Sequence, residues 1–299
     1  MHIAEQANWL EKPVTQAVIA AGAELAPLEW AEAVVWGFGP AVQLADTLAR
    51  APNVSWVQLP AAGVEAYTAV IDRERLWTSA KGAYSEPVAE HALALLLAGF
   101  RQLPRRARAR SWQGKGGQTL FDASVVILGG GGIATTLLEL LRPFRANVTV
   151  VRKHPQAMAG ATAVVPDETL ADAVVGVDAV MLAAALTPET KGMIGARLIR
   201  AMGPSCWLVN VARGALVHTP DLIRGLREDW LGGAALDVVD PEPLPADSPL
   251  WRLANCLITP HTANPPETEA RYLGRRLEAN VRARIGGRPL AGVVDPDLG

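Results

Sequence analysis

The amino-acid sequence predicts an α/β fold made of two lobes, each built on a doubly wound parallel sheet. Three observations predict it. The chain has 299 residues, about twice the length of a typical domain of ~150 residues. Short β-like runs alternate with helix-like stretches, and strands separated by helices favour a parallel sheet with helices on both faces. The alternation is interrupted once, by an apolar helix and a basic segment, and then restarts.

The composition excludes several classes of protein. Half of the residues are hydrophobic, 19% are charged and the net charge is -2, which argues against wholesale disorder and against general attraction to nucleic acid or membranes. Cys206 and Cys256 lack CxxC spacing, so neither a zinc site nor a disulfide framework is predicted. The strongest apolar run, 92–100, is far shorter than the ~20 residues that span a bilayer, and no signal peptide precedes it. We expect a cytoplasmic protein without metal, nucleic-acid or membrane partners.

The first hundred residues predict a small α/β lobe. Strand-like runs at 33–36 and 54–58 follow a helix-like stretch at 13–21, whose proline suits a first helical turn. Residues 86–100 predict one apolar helix, and the basic segment 101–110, which contains Pro104, predicts a connector with a solvated basic face. A nucleic-acid patch would need base-reading partners, of which the segment offers few.

Cleaner strand signals begin after residue 124 and predict the second lobe. A helix is predicted at 133–141, and the last predicted helix, 268–285, is expected to return to the first lobe. The predicted strands are 125–128, 147–151, 178–182, 207–211 and 234–238.

A glycine loop joins the first of these strands to its helix. Gly129 would make the tight turn, Gly131 would let the backbone approach a pyrophosphate, and Ala134 would allow close helix packing. Gly132 and Ile133 would open the helix, whose N-terminus favours phosphate. The strand before the loop and the helix after it favour dinucleotide binding over a flexible turn.

The residue type after the second strand indicates which dinucleotide is preferred. A site for NAD usually has Asp or Glu there, which binds the ribose hydroxyls. This chain has Arg152 and Lys153 instead, and cations of this kind bind a 2′-phosphate. We therefore predict a preference for NADP(H), with NAD(H) possible. An exposed basic turn is the alternative interpretation.

Polar residues follow three later strand-like runs. Arg213 follows 207–211, Glu242 follows 234–238, and His261 follows the apolar pair 257–258. Open α/β sheets bind ligands at the carboxyl ends of their strands. We therefore expect these three side chains to be candidates for one site, although each alone has an ordinary structural explanation.

With these segments, the sequence resembles the D-isomer-specific 2-hydroxyacid dehydrogenase family, which includes glyoxylate/hydroxypyruvate reductases and phosphoglycerate dehydrogenase. The resemblance covers most of the chain and is carried by the segments 59–65, 88–91, 129–134, 186–190, 209–214, 236–245 and 259–263. It implies two Rossmann-like or flavodoxin-like lobes with the active site in the cleft between them. The substrate-binding domain would comprise residues 1–99 and 265–299, and the dinucleotide-binding domain residues 100–264.

The resemblance also implies roles for individual residues. Arg213 would bind the substrate carboxylate and carbonyl oxygen, and His261 would be the acid in reduction and the base in oxidation. Glu242 would pair with the imidazole, orient it and favour its protonated form. The backbone of Ala62, Gly63 and Val64 would cap the substrate carboxylate, while Asp237 and Ala212 would contact the cofactor.

The predicted activity is the reduction of small 2-oxoacids, such as glyoxylate or hydroxypyruvate, to D-2-hydroxyacids, with NADP(H) as the preferred cofactor. The family resemblance also implies a homodimer. Two alternatives stay open. One is a dinucleotide-binding sensor or corepressor-like protein without turnover, against which the Arg213, Glu242 and His261 set argues. The other is a related enzyme that acts on an unusual substrate such as formate or phosphite.

Overall fold

The computed structural model describes residues 1–4, 11–37, 39–112 and 114–296, and it divides into two compact units. The first unit comprises Met1–Tyr84 and Asn264–Gly299, and the second comprises Ser85–Ala263. Each unit holds one parallel sheet, so the predicted α/β class with two lobes is confirmed. The expectation that the active site lies in a cleft between them stays a prediction.

The first unit is built on a sheet of strand order β2-β1-β3-β4-β5, a flavodoxin-like arrangement in which every pairing is parallel. Its strands are β1 (His2–Ala4), β2 (Glu24–Ala26), β3 (Ala33–Val35), β4 (Trp56–Gln58) and β5 (Leu76–Thr78). Its helices are α1 (Glu11–Ala20), α2 (Ala41–Ala49) and α9 (Pro266–Ile285).

The last helix, α9, is fixed to this first sheet by a buried polar contact. Asn280 is 1% exposed and donates a hydrogen bond from Nδ2 to Gln58 Oε1 at 3.0 Å. Gln58 also accepts a hydrogen bond from the buried hydroxyl of Thr78 at 2.8 Å. Buried polar groups of this kind must be paired, so the contact holds the end of the chain in register with β4 and β5.

The second unit is built on a longer parallel sheet of strand order β12-β11-β10-β9-β6-β7-β8. This order reverses between β6 and β9, as in the Rossmann fold. The strands are β6 (Ser124–Leu128), β7 (Asn147–Val151), β8 (Ala163–Val165), β9 (Ala179–Leu182), β10 (Trp207–Asn210), β11 (Gly233–Leu236) and β12 (Cys256–Ile258). The helices are α3 (Ser85–Phe100), α4 (Leu103–Ala107), α5 (Gly132–Leu141), α6 (Leu170–Ala173), α7 (Ala196–Met202) and α8 (Thr219–Arg227).

Alternate residues of the second sheet enter two different hydrophobic clusters. Along β6, Val125 and Ile127 lie in the cluster that also contains α3 and α5, while Val126 and Leu128 lie in the cluster with α7 and α8. Successive side chains of a strand point to opposite faces. The sheet is therefore buried on both faces by helices, which is why its strands are apolar without alternation.

The structure differs from the predicted boundaries in one important respect. Helix α3 was expected in the first lobe, with the division after residue 99, but it falls in the second unit, which begins at Ser85. Its buried face explains this, because Ala92, Leu96 and Phe100 pack in the same cluster as α5 and β6. The predicted connector at 101–110 also contains the short helix α4.

The described residues contain neither a membrane-spanning helix nor a metal-binding cluster. No helix in this part of the chain is long and apolar enough to cross a membrane. Across the same residues, no group of three or more His, Cys, Asp or Glu side chains is arranged to hold a metal ion.

Candidate active site

The glycine loop begins at a position that only glycine fits. Gly129 follows β6 with φ +109°, in the left-handed region, and its N–H donates to the carbonyl of Val151 at 2.8 Å. A Cβ at this position would lie 2.5 Å from the carbonyl oxygen of Ala183, at the end of β9. The loop therefore turns close to the backbone of the neighbouring strand, which a side chain would prevent.

The other residues of the loop form the N-terminus of α5, which has open space beside it. Gly131 caps α5, and no heavy atom lies within 4 Å of where its Cβ would be. Gly132 and Ile133 form the first turn, and Ala134 is completely buried in the cluster with Leu137 and Leu138. Open space beside helix N–H groups fits a pyrophosphate, because those groups carry partial positive charge and lack helical partners.

Arg152 lies beside this loop. It follows β7, which pairs with β6, and its side chain crosses Gly130 so closely that a Cβ there would meet Arg152 Cδ at 2.7 Å. Lys153 follows as an exposed cation. The chain thus places a half-buried guanidinium and an ammonium where the ribose end of a dinucleotide is expected.

A buried asparagine shapes the turn that carries Arg213. Asn210, 1% exposed at the end of β10, donates from Nδ2 to the carbonyl of Arg213 at 2.9 Å. Its Oδ1 accepts the N–H of Ala212 at 3.1 Å. Arg213 is half-buried, and its Nη1 donates to the carbonyl of Ala212 at 2.8 Å. The side chain of Asn210 therefore fixes two peptide groups of the turn from which the Arg213 side chain extends.

Gly214 brings the Arg213 turn into backbone contact with the loop that leads to Glu242. A Cβ on Gly214 would overlap the carbonyl group of Val239. Both residues follow adjacent strands, β10 and β11, which pair in parallel. Only a hydrogen atom fits between these two backbones, so the two loops approach as closely as peptide groups allow.

His261 and Glu242 form a close pair. Nδ1 of His261 lies 2.6 Å from Oε1 of Glu242, and the two side chains are 55% and 41% exposed. A carboxylate only accepts, so Nδ1 carries the hydrogen of this bond. The remaining ring nitrogen, Nε2, takes no part in this bond. Because both side chains are exposed, the pair matters for orientation more than for stability.

The backbone of His261 adopts a conformation that is rare for a residue with a side chain. Its φ is +53°, in the left-handed region, which costs about 1–2 kcal/mol for an L-residue. Its N–H donates to the carbonyl of Asp237 at 2.8 Å and to that of Thr259 at 3.0 Å. These hydrogen bonds offset the strain and hold the segment 259–263 against β11.

The carboxylate of Asp237 is the centre of this segment. It is 1% exposed, and its Oδ1 accepts Thr259 Oγ1 at 2.6 Å and the N–H of Thr262 at 2.9 Å. Its Oδ2 accepts the N–H of Ala263 at 3.1 Å. The fourth donor is His91 Nε2, on α3, 3.2 Å from Oδ1.

These donors keep Asp237 ionised although it is buried. Burial alone would raise the pKa of the carboxyl, but the hydrogen bonds from His91, Thr259, Thr262 and Ala263 outweigh burial and hold its pKa below the ordinary value. A carboxyl whose pKa is lower in the folded chain contributes stability that is fully present above the unfolded value of about 3.9 and is lost as pH falls through the folded value. The carboxylate therefore stabilises the segment at neutral pH.

The predicted substrate loop belongs to the first unit. Ala62 and Gly63 lie beyond the carboxyl end of β4, and Ala62 is exposed while Val64 is buried. The hydroxyl of Tyr84 donates to the carbonyl of Pro60 at 2.6 Å, which anchors the start of the loop. The role of its backbone N–H groups stays a prediction.

Sequence reasoning missed three residues that build the site. Asn210 and Thr259 lie inside the predicted motifs 209–214 and 259–263 without a role of their own, and His91 lies in the segment 88–91, to which the family resemblance gives no individual role. A polar residue that ends an apolar strand, as Asn210 does, is the signal that was available. For His91 there was none, because its partners lie far away in the sequence.

A separate cavity of about 530 Å³ lies at the opposite edge of the second sheet. It is lined at the amino ends of β10 and β12 by residues that include Trp207, Cys256 and Gln118. The chemistry-bearing side chains instead follow the carboxyl ends of the strands. This cavity therefore lies away from the candidate active site.

A sheet of Rossmann order with this glycine loop, and a His–Glu pair following its carboxyl edge, defines a dehydrogenase that uses a nicotinamide dinucleotide. The model of the NAD binding domain of D-isomer specific 2-hydroxyacid dehydrogenases matches residues 91–263, more than half of the chain. The chain belongs to this family of NAD(P)-dependent D-2-hydroxyacid dehydrogenases.

Individual relatives agree with the family assignment. An uncharacterized protein from the proB 3′ region of Corynebacterium melassecola is 35% identical over 251 residues, which are 81% of this chain and 83% of that one. A glyoxylate/hydroxypyruvate reductase A of Serratia proteamaculans is 30% identical over 218 residues, 72% of this chain and 69% of the relative. A D-isomer specific 2-hydroxyacid dehydrogenase of Xanthobacter autotrophicus, solved with NADPH and MES, has a TM-score of 0.86 and 27% identity, covering 99% of this chain and 98% of that chain.

The glycine loop generates a prediction with an internal control. Gly129→Ala is expected to destabilise the chain by about 1–3 kcal/mol, because it adds a methyl group against the Ala183 carbonyl at a positive φ. Gly131→Ala, at a negative φ with open space, is expected to leave the melting temperature unchanged and to weaken NADPH binding. Thermal melting measures the stability of the two variants, and fluorescence titration measures their binding of NADPH. Equal stability of the two variants would contradict the assigned turn.

Proposed function

We propose that this chain reduces small 2-oxoacids of the glyoxylate/hydroxypyruvate type to D-2-hydroxyacids, with NADP(H) preferred and NAD(H) accepted. The observation that carries the proposal is the His261–Glu242 pair, 2.6 Å apart, on loops that follow adjacent strands. The name of the Serratia relative and the NADPH in the Xanthobacter structure support it. The sensor alternative gains no support, because a binding module has no chemical need for an acid oriented by a carboxylate.

Reduction of a 2-oxoacid requires a grip on the carboxylate and polarisation of the adjacent carbonyl. Arg213 supplies both, because its planar fork offers several donors and keeps its charge at every physiological pH. Asn210 fixes the peptide groups from which this side chain leaves, at 2.9 and 3.1 Å. The backbone of Ala62, Gly63 and Val64 is proposed to complete the carboxylate site.

Protonation of the substrate oxygen falls to His261. Glu242 accepts the Nδ1 hydrogen, so Nε2 presents the proton that the new hydroxyl group receives. In the oxidative direction the same nitrogen takes that proton back. Glu242 limits rotation of the ring and stabilises the imidazolium form electrostatically while the proton is in place.

A nicotinamide dinucleotide, when bound, supplies or accepts the hydride. In this proposal the loop of Gly129, Gly131, Gly132, Ile133 and Ala134 holds its pyrophosphate, and Arg152 and Lys153 bind the 2′-phosphate of NADP(H). Ala212 and Asp237 are proposed to border the nicotinamide end. The open space at Gly131 and the guanidinium over Gly130 are the features of the chain that fit this group.

Turnover tests the proposal directly. Initial rates with NADPH or NADH are measured against glyoxylate, hydroxypyruvate, pyruvate, phenylpyruvate and 2-oxobutyrate. We expect fastest reduction of glyoxylate or hydroxypyruvate, and a loss of about 10²–10⁴-fold in kcat for His261→Asn, because the proton donor is removed. The loss in kcat is expected to be smaller for Glu242→Gln, since the ring of His261 keeps a hydrogen-bond acceptor.

The chain offers a matched control for these variants. His218 also pairs with a carboxylate through Nδ1, 2.7 Å from Asp221 Oδ2, but at the start of α8. His218→Asn is expected to keep wild-type turnover. Full activity of His261→Asn, or no turnover by the wild type alongside tight dinucleotide binding, would defeat the proposal.

Cofactor preference depends on Arg152 in this proposal. Arg152→Glu replaces the cation by a charge that repels the 2′-phosphate, so kcat/KM with NADPH is expected to fall about 10–150-fold, as loss of a charge-assisted hydrogen bond would cause. The value with NADH is expected to change little. His154→Ala, exposed two residues further along, is the control. An unchanged ratio of NADPH to NADH would exclude this role for Arg152.

A homodimer is also part of the proposal. Trp112 is fully exposed at 101%, and Leu103 and Phe121 on the same stretch of chain are about half exposed. Exposed tryptophan is typical of protein interfaces. Light scattering is expected to give twice the mass of one chain, and Trp112→Ser to shift the population toward monomer. A wild-type mass of one chain would refute the dimer.

A cytoplasmic location completes the proposal. Cys206 and Cys256 are free thiols, and burial raises the pKa of each to about 12. Cys206 is buried and Cys256 is half-buried, and free cysteines are usual in reducing compartments.

A further inference from the structure

His91 contacts two groups that hold the segment bearing His261. It lies in the second turn of α3, and its Nε2 is 3.0 Å from Thr259 Oγ1 and 3.2 Å from Asp237 Oδ1. Its side chain is 23% exposed, whereas Asp237 is 1% exposed. A mostly buried imidazole therefore faces a buried carboxylate.

The hydrogen bonds around these groups fix where the His91 proton lies. A threonine hydroxyl has one hydrogen, and that of Thr259 is donated to Asp237 Oδ1 at 2.6 Å. An ionised carboxylate has none to give. Both atoms that face Nε2 are thus acceptors, so Nε2 carries a hydrogen that it shares between them.

The same two acceptors determine the path of the backbone at His261. Thr259 begins the segment and Asp237 binds its far end through the N–H groups of Thr262 and Ala263. His261 lies between these points with its left-handed φ of +53°. A change in the direction of the Asp237 carboxylate would therefore rotate the peptide group that follows His261.

We propose that His91 is a positioning residue: its Nε2–H fixes the Asp237 carboxylate and the Thr259 hydroxyl, and through them the orientation of His261 toward Glu242. The inference rests on the proposed function in that His261 is taken as the proton donor. His91 itself touches neither Glu242 nor His261 in the contacts described. Packing alone does not require this side chain, since Ala89, Ala92 and Leu96 supply the buried face of α3.

Three substitutions separate the hydrogen bond from the packing. Gln places an N–H near the position of the imidazole Nε2, Asn places one only as far as Nδ1, and Leu fills the volume without a donor. His91→Leu and His91→Asn are expected to lower kcat for 2-oxoacid reduction about tenfold, the effect of losing a hydrogen bond to a charged group. KM for the 2-oxoacid is expected to stay within twofold. His91→Gln is expected to recover most of kcat.

A second measurement needs neither substrate nor cofactor. Amide hydrogen exchange at Thr262 and Ala263 reports how firmly Asp237 holds the segment. Exchange is expected to accelerate about tenfold in His91→Leu and His91→Asn and to stay near wild type in His91→Gln. Glu90→Ala, an exposed neighbour on α3, is the control and is expected to change neither exchange nor kcat.

The two measurements separate failure of this inference from failure of the proposed function. The positioning role is overturned if hydrogen exchange is unchanged in His91→Leu. It is also overturned if kcat of His91→Gln is as low as that of His91→Leu. If exchange is faster in His91→Leu than in the wild type, but the wild type turns over no 2-oxoacid, the positioning contact is supported and the proposed function fails. If His91→Leu does not fold, the comparison of His91→Asn with His91→Gln decides the same question.

Discussion

The carboxyl edge of the second sheet depends on one buried negative charge. Asp237 follows β11 and binds a segment that starts after β12, so a single carboxylate joins two loops that the sheet itself leaves separate. Burying an unpaired carboxylate would be very costly, and four hydrogen-bond donors are needed to keep it there. Those donors come from α3 and from 259–263. The requirement to satisfy this charge thereby determines where His261 is found.

Strand order explains why the two halves of the chemistry share this edge. The order reverses between β6 and β9. On one side of the reversal, the loops after β6 and β7 carry the glycine turn and Arg152; on the other, those after β10, β11 and β12 carry Arg213, Glu242 and His261. Parallel strands bring all five carboxyl ends to one edge. Under the proposed function, the fold thus separates dinucleotide binding from proton transfer by strand position along one sheet.

Much of this arrangement could be predicted from the sequence, for physical reasons that also define the limits. The main strands of the second sheet are continuous apolar runs because both faces are buried, and Gly129 was recognisable because strand and helix flank it. That Arg213, Glu242 and His261 follow neighbouring strands at one edge was predictable from the parallel order of the strands alone. The three-residue strands β1, β2 and β5 were too short to show a period. His91 gave no local signal, since its role depends on Asp237 and Thr259, nearly 150 or more residues away.

The contact at Gly214 has a mechanical meaning. With only a hydrogen atom between this residue and the Val239 carbonyl, neither loop can slide past the other or close independently. Any displacement of the turn that carries Arg213 would therefore meet the backbone of Val239, three residues before Glu242. Under the proposed function, this backbone contact would couple the residue that binds the substrate carboxylate to the loop that orients the proton donor.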